Sequence, residues 1–201
     1  MRWTFLFSSL ACGILMSGLA LSVSAQTKAE MEQLRQEVTD NLTENILPFW
    51  MENTVDPDGG FYGVVMNDGK AADNADKGAV LNARILWTFA KAYRHYGLES
   101  YRQTADRAAE YYLAHFIDRK YGGVYWALTS EGVAKNTTKQ TYACAFGIYG
   151  LAEHFRATGD KRSLEAAIYS TLERCIQYTS SSTISLSSLF SVSCTFPQEL
   201  A

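Results

Sequence analysis

Arg84 stands in the run Leu81-Asn82-Ala83-Arg84-Ile85-Leu86-Trp87, apolar residues at helical spacing around one permanent cation. A guanidinium in such a setting is costly unless a carboxylate pairs with it or it faces a solvated cavity. Two readings stay open: an ion pair holding helices together, or a fixed cation at the wall of a site. Val80 lies one turn before Arg84 on the same helix face, and Tyr142 and Phe146 repeat that spacing further along. Tyr142 reads either as a core tyrosine with a satisfied hydroxyl or as a ligand contact. A glycosidase would need two carboxylates across a cleft. The candidates Asp56, Asp58, Asp73 and Asp76 crowd one segment, where carboxylates more often cap turns and helices. His95, His115 and His154 stand apart from one another and read as structural or surface groups. There is no GxSxG, phosphate loop or dinucleotide fingerprint, and no CxxC or His/Cys cluster, so neither a cofactor nor a metal is expected.

The elements that must position these residues come in two copies. Asp56-Pro57-Asp58-Gly59-Gly60-Phe61-Tyr62 runs on to Asp68-Gly69, and Tyr121-Gly122-Gly123-Val124-Tyr125 runs on to Glu131-Gly132. A lysine follows each time, Lys77 and then Lys139, and opens an apolar run that ends at Gly97 and at Gly159. Repetition of this kind signals stacked or ring-closed supersecondary units. By repeat register Val80 and Arg84 match Tyr142 and Phe146, so both faces should look toward a common axis.

Periodicity predicts a helix over 28–53 whose last turn Pro48 bends, then a hairpin over 59–69. Helices over 75–96, capped by Asp73 or Asn74, and over 99–116 follow. A second hairpin over 122–132, a helix over 138–157 and the start of a fifth helix at Lys161 complete the pattern. The helices after the hairpins are apolar nearly all round, which predicts burial on all sides. Alternating inner and outer helices predict an all-α fold, a toroid of helical hairpins with short β-hairpins between repeats. A linear array of helical repeats is the runner-up.

The chain has 201 residues, a net charge of -3 and 13% aromatic residues, which suits a packed core and also a sugar-stacking cleft. That charge, with no basic stripe, argues against nucleic acid as a partner. Residues 1–25 read as a signal peptide: Met1-Arg2, an apolar run from Phe5 to Leu21, and Val23-Ser24-Ala25 before Gln26. The mature protein is then secreted or periplasmic, with no membrane attachment. Cys144, Cys175 and Cys194 remain at unrelated spacings, and Cys144 reads as a small buried residue. Residues 178–201 form an aberrant tail, with eight serines among the fourteen residues from Ser180 to Ser193. The repeat stops there in mid-unit, as a shifted frame or mispredicted gene end would make it.

The strings ILPFWMENTVDPDGGFYGVVMNDG, DKGAVLNARILWTFAKAYRHYG and KQTYACAFGIYGLAEHFRATGD resemble the N-terminal half of the N-acylglucosamine 2-epimerase superfamily. Within it the similarity is greatest to the cellobiose 2-epimerases, which also act on mannobiose. It spans about residues 30–174, so residues 26–177 are expected to be the N-terminal part of an (α/α)6 barrel. The resemblance implies 2-epimerisation of the reducing-end residue of a disaccharide, through an enediolate. Arg84 matches the arginine that stabilises this intermediate, and Tyr142 a tyrosine lining the sugar site. The family's catalytic histidines and glutamate belong to segments beyond position 174, which makes this chain a truncated, inactive fragment by expectation. The alternatives are an α/α-barrel glycoside hydrolase or lyase and a non-catalytic carbohydrate-binding helical repeat.

Overall fold

The computed structural model describes residues 27–169. The expected signal peptide, Cys175, Cys194 and the serine-rich tail lie outside the described residues. The chain divides into two compact units between Pro48 and Phe49. In the first, helix α1 (Lys28–Asp40) starts at a capping box in which Thr27 and Glu30 satisfy each other's backbone N–H groups. The expected helix over 28–53 is interrupted. Residues Asn41–Ile46 are π-helical before α2 (Leu47–Asn53), and the Leu47 N–H reaches five residues back to the Leu42 carbonyl. Pro48 has no N–H to continue the α-helical ladder, and the helix widens ahead of it rather than bending at its last turn.

The second unit is built from two versions of one loop-and-helix device. In the first, an isolated bridge Val55↔Phe61 closes a turn in which Gly59 N–H donates to the Asp56 carbonyl and Asp58 N–H to the Asp56 carboxylate. Lys77 Nζ donates to Asp56 Oδ2 at 2.6 Å and to the Gly59 carbonyl at 2.8 Å, and both charged side chains are buried. In the second, the bridge Ile117↔Val124 closes the turn, and Lys120 and Tyr121 N–H groups donate to Asp118 Oδ1. Lys139 Nζ donates to Asp118 Oδ2 at 2.8 Å. Lysine and aspartate are 21 residues apart in both copies.

Three short strands join the copies: β1 (Lys77–Gly78), β2 (Ala127–Leu128) and β3 (Ala134–Asn136), antiparallel in that order. Lys77 pairs with Leu128, and Ala127 with Asn136. The expected first hairpin is instead two small turns, closed by Val55↔Phe61 and Val65↔Ala71. Gly63 lies so close to the Asp76 carbonyl that a Cβ there would meet its oxygen at 2.0 Å, which leaves no room for a regular partner strand.

Helix α3 (Ala79–Tyr96) begins four residues later than expected, with Gly78 at its cap instead of Asp73 or Asn74. Lys77 must be extended to pair in the sheet and bury its amine on Asp56, and that excludes a helix before Gly78. Helix α4 (Glu99–Tyr111) ends in a π-helical segment, Tyr112–Phe116, that carries the buried Tyr112 and Phe116. Helix α5 (Thr141–Thr158) follows, and residues 161–169 form α6. Gly97 and Gly159 end α3 and α5 in the left-handed conformation, as the repeat predicts. α3 packs against both α4 and α5, around Leu86, Phe89, Tyr112, Phe116, Leu128 and Leu151.

Removing one partner of a buried ion pair leaves the other charge unpaired, at a cost of about 3–5 kcal/mol. Lys77→Met should therefore lower unfolding free energy by roughly that amount in urea denaturation, and a change below about 1 kcal/mol would contradict the assignment. At Asp118, burial pushes the carboxyl up, but the Lys139 amine and the Tyr121 and Lys120 N–H donors outweigh it and hold it below its ordinary 3.8. That stabilisation is complete above 3.8 and fades as pH falls through the depressed folded value. Melting temperatures taken from neutral pH downward should show Asp118→Asn less stable than the parent at neutrality, with the gap narrowing in acid.

Candidate functional site

α3 and α5 meet at a seam of small residues. A Cβ on Gly150 would lie 2.7 Å from the Ala83 carbonyl oxygen, so α5 rests directly on the α3 backbone. That contact sets Arg84, Trp87 and Thr88 of α3 opposite Ala145, Phe146 and Tyr149 of α5, and these six line an open cavity of about 510 Å³. The volume is ordinary for a small-molecule site.

The walls are mostly aromatic. Trp87 stacks on Tyr149 with centroids 4.8 Å apart and planes within 13°. Phe146 meets Tyr149 edge-on at 6.1 Å and Tyr142 at 4.9 Å. The Arg84 guanidinium carbon lies 5.9 Å from the centre of the Phe146 ring. Arg84 is exposed to the cavity, and among the described residues no carboxylate forms an ion pair with it. Of the two readings of Arg84, the structure has the solvated cavity.

Tyr142 is 58% exposed and Tyr149 44%, so α5 keeps one aromatic side uncovered by the described residues. α3 uses two sides against α4 and α5, and the aromatic residues form the wall on the remaining side. Tyr142 is thus no core tyrosine; it abuts Phe146 one turn from the cavity. Burial and Glu153 push the Tyr149 phenol up more than Arg84 pulls it down, so it is a neutral hydrogen-bond donor and not a base.

The other candidates are committed elsewhere. Asp56 holds Lys77, and Asp76 pairs with Lys135 at 2.8 Å on the exposed loop side. His115 stacks on Tyr111 and bonds the Gly132 carbonyl through Nδ1. His154 Nε2 donates to Asp106 at 2.9 Å, since a carboxylate can only accept, and Nδ1 shares a hydrogen bond of 2.9 Å with the Ser163 hydroxyl. That line has the order of a hydrolytic triad, but Ser163 is fully buried and joins α6 to α5 and α4. Cys144 is buried and free. No group of three metal-binding side chains occurs among the described residues. Trp87, Thr88 and Tyr149 escaped the sequence reading, although they sit three or four residues from Arg84 and Phe146 on the same faces.

The N-acylglucosamine 2-epimerase (GlcNAc 2-epimerase) family profile matches residues 60–185. The chain belongs to the N-acylglucosamine 2-epimerase family. A cellobiose 2-epimerase of Bacteroides fragilis is 51% identical over 68% of this chain and 35% of its own length. Among solved structures, the cellobiose 2-epimerase of Spirochaeta thermophila superposes with a TM-score of 0.70 at 30% identity, over 73% of this chain and 36% of that one. A sugar epimerase from a ruminal bacterium does so with a TM-score of 0.66 at 39% identity, over 69% and 36%. The chain therefore spans little more than a third of these relatives. Its fold class is all-α, a partial (α/α)6 barrel, as the resemblance to this epimerase family implies.

The seam can be tested without a ligand. Gly150→Ala should push α5 off α3 and cost about 1–3 kcal/mol, typical of overpacking, in the same denaturation assay. A neutral outcome would mean that the helix contact has slack and does not set the cavity width.

Proposed function

We propose that this chain carries the binding half of a sugar 2-epimerase site, acting on the reducing-end residue of a β-1,4-linked disaccharide such as cellobiose or mannobiose. The observation that carries the reading is Arg84: a permanent cation without a carboxylate partner among the described residues, on an aromatic-walled cavity, in a member of this family. Aromatic faces suit the apolar faces of a pyranose, and an uncompensated guanidinium suits an oxyanion.

In 2-epimerisation the reducing-end ring opens to the aldehyde, a base takes the C2 proton, the C2–H electron pair becomes the C1=C2 bond, and the carbonyl pair moves onto O1 to give an enediolate. A proton then returns to the opposite face of C2. The role of Arg84 is to hold O1/O2 and stabilise the charge that develops there, an interaction stronger in the intermediate than in the substrate. It cannot be the base, because it stays protonated. Among the described residues, none that lines the cavity supplies an imidazole or carboxylate. The acid/base groups are assigned to the part of the family fold that this chain does not span. The apolar segment Phe5–Leu21 and Val23-Ser24-Ala25 support export, to the periplasm or the medium.

The test is to titrate the mature chain with cellobiose while observing the Trp87 indole, and to incubate the same mixture in deuterium oxide. Saturable perturbation of Trp87, lost in Arg84→Gln, with no deuterium at C2 is the expected outcome. An unperturbed Trp87 would refute the sugar site. Deuterium entering C2 above background would refute the assignment of the base to residues elsewhere.

A further inference from the structure

We infer that Phe146 is the positioning residue of Arg84, and that their pairing makes the cavity select disaccharides bearing a negative charge at C1 or C2 over neutral ones. This rests on the reading of the cavity as a sugar site. An arginine at a cavity wall has many rotamers and needs something to fix it. A carboxylate would fix it and neutralise it at once. The face of an aromatic ring fixes it and leaves the full positive charge free for a ligand.

The geometry matches the second solution. The guanidinium carbon is 5.9 Å from the Phe146 centroid. The ring is itself held edge-on from two sides, by Tyr142 at 4.9 Å and 67° and by Tyr149 at 6.1 Å and 84°. Tyr149 is backed in turn by Trp87. Phe146 is also the second-repeat counterpart of Arg84. Equivalent positions of a duplicated helix have thus become a cation and the ring that supports it, facing each other across the seam.

A disaccharide aldonate such as cellobionate places a carboxylate where the enediolate would carry its charge, whereas cellobiitol has the same skeleton without it. By calorimetry the mature chain should bind cellobionate about tenfold more tightly than cellobiitol, the scale of one charge-assisted hydrogen bond. Phe146→Leu should bring that ratio toward one, with the larger loss falling on cellobionate, and Phe146→Tyr should restore it. Equal affinities in the parent chain, or a preference that survives Phe146→Leu, overturn the inference while the sugar site stands. If neither ligand binds, the sugar site falls, and the Arg84 Nε–Hε resonance decides the positioning role. An upfield ring-current shift that disappears in Phe146→Leu supports it, and a resonance indifferent to that substitution overturns it.

Discussion

A lysine ammonium taken out of water must end on a carboxylate, and in each repeat that requirement ties the start of an inner helix to a loop 21 residues upstream. Lys77 and Lys139 each lie two residues before their helix, next to an extended cap residue, Gly78 and Gln140. Asp56 and Asp118 each close a glycine turn with their own backbone and accept from its N–H groups. The pair converts a loop of poor intrinsic stability into a fixed platform. Arg107 reinforces the first platform by donating to the Gly60 and Asp56 carbonyls.

With the starts of α3 and α5 pinned, the small-residue seam can bring the helices to backbone contact, and the cavity follows from that contact. Chemistry and stability are divided between different faces of the same helices. The buried faces hold Ala83, Leu86, Gly150 and Leu151, while the cavity faces hold Arg84, Trp87, Phe146 and Tyr149. His115, His154, Asp56, Asp76, Asp106 and Asp118, groups of the kind most suited to proton transfer, are spent on joining elements. Among the described residues, Arg84 at the cavity has no carboxylate partner, and that contrast is what gives the site its character.

Much of this was legible in the sequence. The glycine stops, the repeat offset, and the common face of Arg84 and Phe146 all follow from spacing. What failed did so for identifiable reasons. Asp118 was missed because the second loop has one more residue between the aspartate and its glycine pair than the first, so aligning the glycines hides the aspartates. Counting 21 residues back from each lysine recovers both. Asp73 and Asn74 looked like caps because local sequence cannot show that Lys77 is needed in a strand. The widened turns at Asn41–Ile46 and Tyr112–Phe116 leave no mark in hydrophobic period over so few residues. The exposed aromatic face of α5 is ambiguous in sequence because an apolar surface reads the same whether it packs on protein or lines a cavity for a ligand.

The dependence of the inner helices on their lysine–aspartate pairs can be measured directly by amide hydrogen exchange on Asp56→Asn and Asp118→Asn. Each substitution should speed exchange in its own loop and in the first turns of the helix it pins, α3 for Asp56 and α5 for Asp118. Amides in the middle of α4 should keep their protection. If the first turns of α3 and α5 stay as protected as in the parent chain, the pairs do not govern the helix starts, and the account of how the cavity is held would be contradicted.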